Sequence, residues 1–504
     1  MPYMPEIIVI GAGLGGLACA LKLARDKRSV LLLEKNSHPG GTSYVFRRGP
    51  YIFPMGPLSF SFPDKVTSIF NELGVEPPAD FARNHYQLLA PGLDIVYSHP
   101  LRTIQQDLNK AFPSEVRSIE VAISALERII SSLGMEQDLR RPPLGDLPSA
   151  DPGQRIGPQS AESGPGNPTL SAREFLKRHI SSPALRNFLG SQGTEEPEMS
   201  LLYLSRMWKV MSDVGIWFPR CGVHRLADRL QAAFLASGGE LRLGSAVQRI
   251  VVNKGRAEGV RTSSGEYIPA QWTVSSADYK KTFLEMLGPD DVPADHRQKV
   301  LALPYTGSEA CVYLGFDPSQ VSFSRLQANH VFYRKSLEPK QDASLENFDN
   351  RDIEICLWSQ NMPDSAPPGK ASLVLRTSFP YEVFSAWRTG EKKRAEGYRS
   401  YKETLARKLI QTVENLLPGL SRSVEVMEVA TPLTYRDWGN RTQGSVAGWS
   451  WSSGFSAGLG GKVLLKTPLE RLLMCGIYSV AELFWGGVPT ALTTGLWAAE
   501  QVMA

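Results

Sequence analysis

The sequence predicts an α/β fold of two domains, and three observations carry that prediction. The stretch IIVIGAGLGGLACALKLARDKRSVLLLEKNSHPGG, Ile7 to Gly41, sets two buried-strand patterns around a glycine-rich turn and a helix. At 504 residues the chain is longer than one hydrophobic core accommodates. The α/β texture of the N-terminus returns twice, from Trp217 and from Leu469, with stretches of different pattern between. Together they read as a Rossmann-type nucleotide-binding domain in three pieces, 1–62, 215–285 and 432–504, with a second, α+β domain at 63–214 and 286–431.

Ile7 to Ile10 is wholly apolar and β-branched, the pattern of a strand buried on both faces of a parallel sheet. Gly11, Gly13 and Gly16 follow as G-x-G-x-x-G. The first glycine permits the tight turn, and the second lets the backbone approach a pyrophosphate. The third draws the next helix against the strand, with its N-terminal amides toward the phosphates. Leu14 to Arg25 reads as that helix, apolar at Leu17, Ala20, Leu21 and Ala24. Val30 to Leu33 is a second buried strand. Glu34 ends it, 23 residues after Gly11, where a carboxylate accepts hydrogen bonds from a ribose hydroxyl. A carboxylate there opposes a 2′-phosphate, which argues against NADP.

Thr42 to Pro63 reads as a loop rich in glycine, proline and aromatics. Helical periodicity resumes near Asp64 and again from Leu101 to Leu133. Residues 141–171, dense in proline, glycine and serine, read as a flexible insertion, and a helix resumes at Ala172. Gly222 to Ala236 reads as a helix. Short strands follow at Leu241 to Leu243, Val247 to Val252 and Ala257 to Arg261, then a strand from Ala270 to Asp278 ending in small residues.

Composition narrows the function classes. The chain is 42% hydrophobic and 21% charged, an ordinary globular balance, and a net charge of +4 does not argue for nucleic acid. Seven scattered histidines and five distant cysteines give neither a metal site nor a disulfide framework, which suits a reducing, cytoplasmic compartment. The first apolar run is already the nucleotide-binding strand, so a secretory leader is not expected. No apolar run reaches the ~20 residues of a transmembrane helix. His85, His99, His224 and the Arg47–Arg48 pair read as structural or solvated groups. No side chain stands out as a catalytic acid, base or nucleophile.

The N-terminal cradle, the Gly40–Gly41 pair, the Gly222 helix with its Gly238–Gly239 turn and Val247 strand, and the C-terminal CGIYSVAELFWGGVPTALTTGLWAAE resemble the FAD-dependent amine oxidase superfamily. Within it, TPLTYRDWGNRTQGSVAGW, Thr431 to Trp449, is similar to the phytoene desaturase, carotene isomerase and retinol saturase branch. The resemblance implies FAD as cofactor and a phytoene desaturase-like inserted substrate domain. It places Gly11, Gly13, Gly15 and Gly16 at the pyrophosphate, and Glu34 with the adjacent Lys35 at the adenosine ribose. Gly40, Gly41 and Thr42 would pass along the ribityl chain, Gly56 and Pro57 beside the flavin, and the Val247 backbone at the adenine. Glu482 would bind the phosphate–ribityl region, and Gly487, Val488 and Pro489 would open the last helix. Two positions depart from the family: Pro54–Met55 replaces an acidic site before the flavin loop, and Phe484–Trp485 stands where a Pro-Gly pair is usual.

Flavin exchanges hydride at N5, so the protein has mainly to orient substrate and exclude water. The resemblance implies a lipophilic polyene or isoprenoid substrate, desaturated, saturated or isomerised. A hydrocarbon offers no charged handle, so its site is expected to be an apolar tunnel. Met55 and Trp485 are the candidate substrate contacts, and the aromatics of YIFPMGPLSFSF and GWSWSSGF candidate walls or core. A bilayer-dissolved substrate implies peripheral attachment to a membrane, with Tyr51 to Phe62 as the candidate surface. Two other classes compete. Flavin amine oxidases usually carry Gly-Gly-Arg where this chain has Gly-Gly-Thr, and prenyl-binding Rab GDP-dissociation inhibitors share the fold without flavin.

Overall fold

The computed structural model describes residues 4–132, 170–191, 199–336, 347–450, 464–480 and 486–504. The stretch 141–171 falls outside them except for its last two residues. Trp451, Phe455, Glu482, Phe484 and Trp485 also lie outside the described residues.

A five-stranded parallel sheet forms the nucleotide-binding side. Its strand order is Glu240–Arg242, Val30–Leu33, Ile7–Ile10, Trp272–Ser275 and Leu472–Met474. The sheet therefore draws on stretches that are hundreds of residues apart in the chain. The two apolar faces of the central strands explain why they read as unbroken hydrophobic runs. Ile7, Val9, Val30 and Leu32 pack with the helices Leu14–Arg25, His224–Ala236 and Gly487–Met503. Ile8, Ile10, Leu31 and Leu33 pack on the other side against the antiparallel strands Val247–Asn253, Arg256–Thr262 and Tyr267–Pro269, with Tyr279 and Phe283.

A second sheet of seven strands lies in the other half. Its order is Val424–Ala430, Glu309–Phe316, Ala371–Ser378, Ile353–Cys356, His330–Tyr333, Tyr86–Ala90 and Leu93–Val96, antiparallel except where His330–Tyr333 meets Tyr86–Ala90. Ala310, Val312, Leu314 and Phe316 pack on the helix Tyr398–Glu414. Cys311, Tyr313, Cys356 and Val374 join the core of the nucleotide-binding side. The alternation along Glu309–Phe316 thus turns odd positions toward the cleft between the sheets. A helical layer, including Leu101–Ala111, Val116–Ser132 and Leu201–Lys209, packs with Tyr86, Leu93 and Ile95.

Two expectations are corrected. Thr42 to Pro63 is not a loop throughout: Val45–Arg48 and Tyr51–Pro54 pair as an antiparallel hairpin, and Phe60–Ser61 adds to a small sheet. Gly49, Pro50 and Pro54 masked two short runs of good strand formers. Tyr51, Ile52, Phe53, Leu58 and Phe60 are all buried, so most of this segment's apolar side chains belong to the core, while Met55, Pro57 and Phe62 are half-buried. The helical stretch from Leu101 is broken at Pro113, where a short 3₁₀ turn separates two helices, because proline lacks the amide a continuing helix needs.

Candidate functional site

The strand Ile7–Ile10 ends at Gly11, whose φ of 92° lies in the left-handed region that suits glycine. A Cβ added at Gly16 would stand 1.9 Å from Gly11 O, so this glycine exists for helix–strand contact. Gly16, expected at the pyrophosphate, sits behind the residues that line the cleft. Gly13 meets nothing within 4 Å and opens onto the cleft. Gly15 does both: it lines the cleft, and an added Cβ would lie 2.9 Å from Ala491 O on the last helix.

Glu34 is fixed by its own backbone surroundings. Oε2 accepts the Ala12 amide and Oε1 the Asn36 amide, each at 2.8 Å. Two carboxylate oxygens have lone pairs beyond these bonds, so Glu34 can still accept from ligand hydroxyls. Gly40 donates its amide to Ala12 O at 2.7 Å, and Gly41 lies against Gly13, with a Cβ added there 3.4 Å from the Gly13 Cα. Thr42 comes next. Its carbonyl and Cβ lie 2.8 and 2.9 Å from a Cβ placed on Gly56, so only glycine fits at that position.

These residues share one cleft of about 310 Å³, open at its mouth, with Lys35, Pro57, Val247, Gly487 and Val488. Typical small-molecule pockets hold ~300–1,000 Å³. Of the expected cofactor contacts, Pro489 is buried in the last helix and does not wall the cleft. Met55, an expected substrate contact, is half-buried, and its amide donates to Tyr44 O. Glu482 and Trp485 lie outside the described residues. The cradle fits a dinucleotide: it is open at Gly13 and Gly487, where an added Cβ meets nothing, and it has a buried carboxylate with spare acceptor capacity.

Several cleft residues were not expected from sequence. Asp278 is buried at the end of the Trp272–Ser275 strand's turn. Its Oδ1 accepts Tyr305 OH at 2.6 Å, and its Oδ2 accepts the Thr442 amide at 2.8 Å. Burial, then the Asp278 charge, pushes the Tyr305 hydroxyl far above its ordinary range. Arg441, on the same loop as Thr442, donates from Nη2 to Thr42 Oγ1 at 2.8 Å.

The other wall carries an ion network set by strand register. Arg376 lies directly opposite Cys311 on one side and Glu354 on the other, and Glu309 stands two positions before Cys311 on the same face. Arg376 donates to Glu309 Oε2 at 3.1 Å from Nε and 2.7 Å from Nη2, and its Nε is 3.3 Å from Glu354 Oε2. Glu354 also meets His330 Nε2. Glu309 Oε1 accepts Tyr435 OH at 2.8 Å. Burial pushes the Glu354 carboxyl up, but Arg376 and then His330 override it and hold it at about 2. Burial also pushes the Tyr435 hydroxyl and Cys311 thiol up, so both stay protonated as donors. Glu309, Arg376 and Tyr435 wall the cleft. Among the described residues this cleft has a charged wall; Tyr51, Phe53 and Phe60 pack in the core, and Trp451, Phe455 and Trp485, further candidates for an apolar tunnel, lie outside the described residues. A signal was present in the sequence, since Glu309 and Arg376 are single charges inside apolar strands, EACVYLGF and ASLVLRTS.

The geometry meets known proteins at this point. The sequence model of the family described as flavin containing amine oxidoreductase matches residues 14–503. An all-trans-retinol 13,14-reductase of Danio rerio is 24% identical over 98% of this chain and 86% of its own length. A chloroplastic prolycopene isomerase of Arabidopsis thaliana is 26% identical over 99% of this chain and 82% of its own. Among solved structures, putrescine oxidase bound to putrescine superposes with a TM-score of 0.63 at 14% identity, covering 99% of both chains.

Proposed function

Because the chain belongs to the flavin-containing amine oxidoreductase family and is an FAD-dependent oxidoreductase, we propose that its substrate is a lipophilic polyene or isoprenoid. Two relatives aligned over nearly the whole chain support this, one named for retinol and one for prolycopene. The putrescine oxidase likeness, at 14% identity, speaks for the fold alone. Oxidation of a C–N bond is the competing function.

The structural observation behind the proposal is a cleft that joins the glycine cradle to the Glu309–Arg376–Tyr435 wall. Gly11, Gly13 and Gly15 would hold the cofactor's pyrophosphate, Glu34 its ribose, and Val247 its adenine. Thr42, Gly56 and Pro57 would run along the rest, toward Gly487 and Val488. Bound flavin supplies hydride acceptance or donation at N5. The chain's own part is to orient and to exclude water. Arg376 holds Glu309 as a carboxylate, Tyr435 donates to it, and together they set a fixed dipole on the wall facing the substrate space. Removal of hydride, its delivery, and isomerisation by reduced flavin would all use this arrangement. The protein would take its substrate from a membrane surface, and no helix among the described residues is long and apolar enough to cross one.

The test is an anaerobic incubation of the FAD-loaded protein, oxidised and dithionite-reduced, with a cis-polyene, with retinol and with putrescine. Product analysis by chromatography is expected to show turnover of a polyene or retinoid. Turnover of putrescine alone would overturn the proposal in favour of amine oxidation.

A further inference from the structure

A dinucleotide pyrophosphate carries two negative charges, and the amides of a glycine turn oppose them with only partial positive charge. Three cationic side chains wall the cleft among the described residues: Lys35, Arg376 and Arg441. Arg376 is committed to Glu309 and Glu354. Lys35 directs its ammonium at Asp437 O, 3.3 Å away, and burial disfavours its charged form. Arg441 differs from both. Its acceptors are neutral, Thr42 Oγ1 at 2.8 Å from Nη2 and Ser445 O at 3.2 Å from Nη1, and no carboxylate among the described residues pairs with it. A half-buried guanidinium without a counter-ion is a costly arrangement unless a ligand supplies the anion.

Its position is the cradle itself. Thr42 directly follows Gly41, and a Cβ on Gly41 would be 3.4 Å from the Gly13 Cα, so the guanidinium is held on the residue next to the glycine that abuts Gly13, where the pyrophosphate expected at Gly13 and the ribityl chain expected at Thr42 meet. The loop carrying Arg441 is constrained to do this. Asn440 and Gln443 take left-handed φ values of 53° and 51°; asparagine adopts this region readily, whereas for Gln443 it is a conformation its surroundings must impose. The Thr442 amide is tied to Asp278, and an added Cβ on Gly439 would lie 2.7 Å from Tyr435 O and 3.6 Å from Thr42 Cγ2.

We propose that Arg441 is the counter-ion of the FAD pyrophosphate, a diphosphate-binding residue delivered from the far end of the chain to a cradle whose phosphate-facing positions are glycine. The inference rests on the flavin cofactor and is independent of which substrate is turned over.

The test is equilibrium binding to the apo-protein of three probes: FAD, ADP and riboflavin. Arg441→Gln keeps a hydrogen-bond donor toward Thr42 and removes the charge. It is expected to bind FAD and ADP roughly 10- to 100-fold more weakly, the loss of one charge-assisted bond, with riboflavin unchanged. Arg441→Lys should recover part of the loss. Salt should weaken FAD binding less in Arg441→Gln than in the wild type, because a screened charge is gone. Wild-type FAD affinity in Arg441→Gln would overturn the proposal. So would an equal loss for riboflavin, which would make Arg441 a loop-shaping residue. If Arg441→Gln does not fold, the ratio of FAD to riboflavin affinity in Arg441→Lys decides by the same criterion.

Discussion

Arg376→Met tests whether the charged wall of the cleft is an integrated, desolvated network. In the wild type the Arg376 and Glu309 side chains are 18% and 10% exposed, and Glu354 is 19% exposed. Burial raises the Glu354 carboxyl, yet Arg376 and His330 hold it at about 2, against an ordinary 4.5. At ~1.4 kcal/mol per tenfold, that gap corresponds to roughly 3 kcal/mol. A carboxyl held below its unfolded value stabilises the fold above about pH 4.5, and the contribution is lost as pH falls toward 2. Methionine replaces the stem of Arg376 and leaves Glu309 and Glu354 facing each other, with His330 the remaining partner of Glu354. Stranding buried charges in this way costs about 3–5 kcal/mol at neutral pH. The sign of the pH dependence then reverses. Carboxyls pushed above their unfolded values stabilise at low pH, so the variant should lie closest to wild type near pH 5 and fall further behind toward pH 8. Urea midpoints followed by fluorescence and circular dichroism between pH 5 and 8 read both the deficit and its slope. A triple variant that adds Glu309→Gln and Glu354→Gln should recover most of the loss, because no unpaired charge remains. A deficit below about 1 kcal/mol that is flat with pH would refute the reasoning, since that is the behaviour of a solvent-screened surface pair.

Three further outcomes are expected from the cradle. Gly13→Ala should fold with stability within about 0.5 kcal/mol of wild type, because its Cβ meets nothing, yet bind FAD more weakly by flavin titration. Gly16→Ala should lose about 3 kcal/mol or more, read by urea midpoint, since its Cβ would be driven into Gly11 O; equal stability losses in the two variants would contradict this division of labour. In Glu34→Gln the amide can accept from only one of Ala12 N and Asn36 N, at a cost of about 1–3 kcal/mol. FAD affinity should fall while that for FMN, which lacks the adenosine, stays unchanged.

The extent to which the molecule was legible depended on sequence distance. The strands Ile7–Ile10 and Val30–Leu33 and the helix Leu14–Arg25 have the bounds their hydrophobic periods predict. Local signals suffice there, because strand, turn and helix are consecutive and both sheet faces are covered by apolar neighbours. The hairpin from Val45 to Pro54 was hidden by prolines and a glycine that usually break strands but here occupy the turn and an end. The role of Gly16 was half legible. Its spacing shows that a helix comes close, but only the 1.9 Å approach shows how little room is left for any side chain.

What the sequence determined by itself was the cradle and its ligand class, because phosphate and ribose recognition is written in a few consecutive backbone conformations and one carboxylate at the end of the next strand. What only the tertiary structure decided was the cleft's far wall and its charge balance. Arg376 meets Glu309 through antiparallel register, and Arg441 meets Thr42 across 399 residues. Pairing of this kind depends on how two sheets and their connecting loops pack. No local pattern encodes which buried cation will find a carboxylate and which will be left for a ligand.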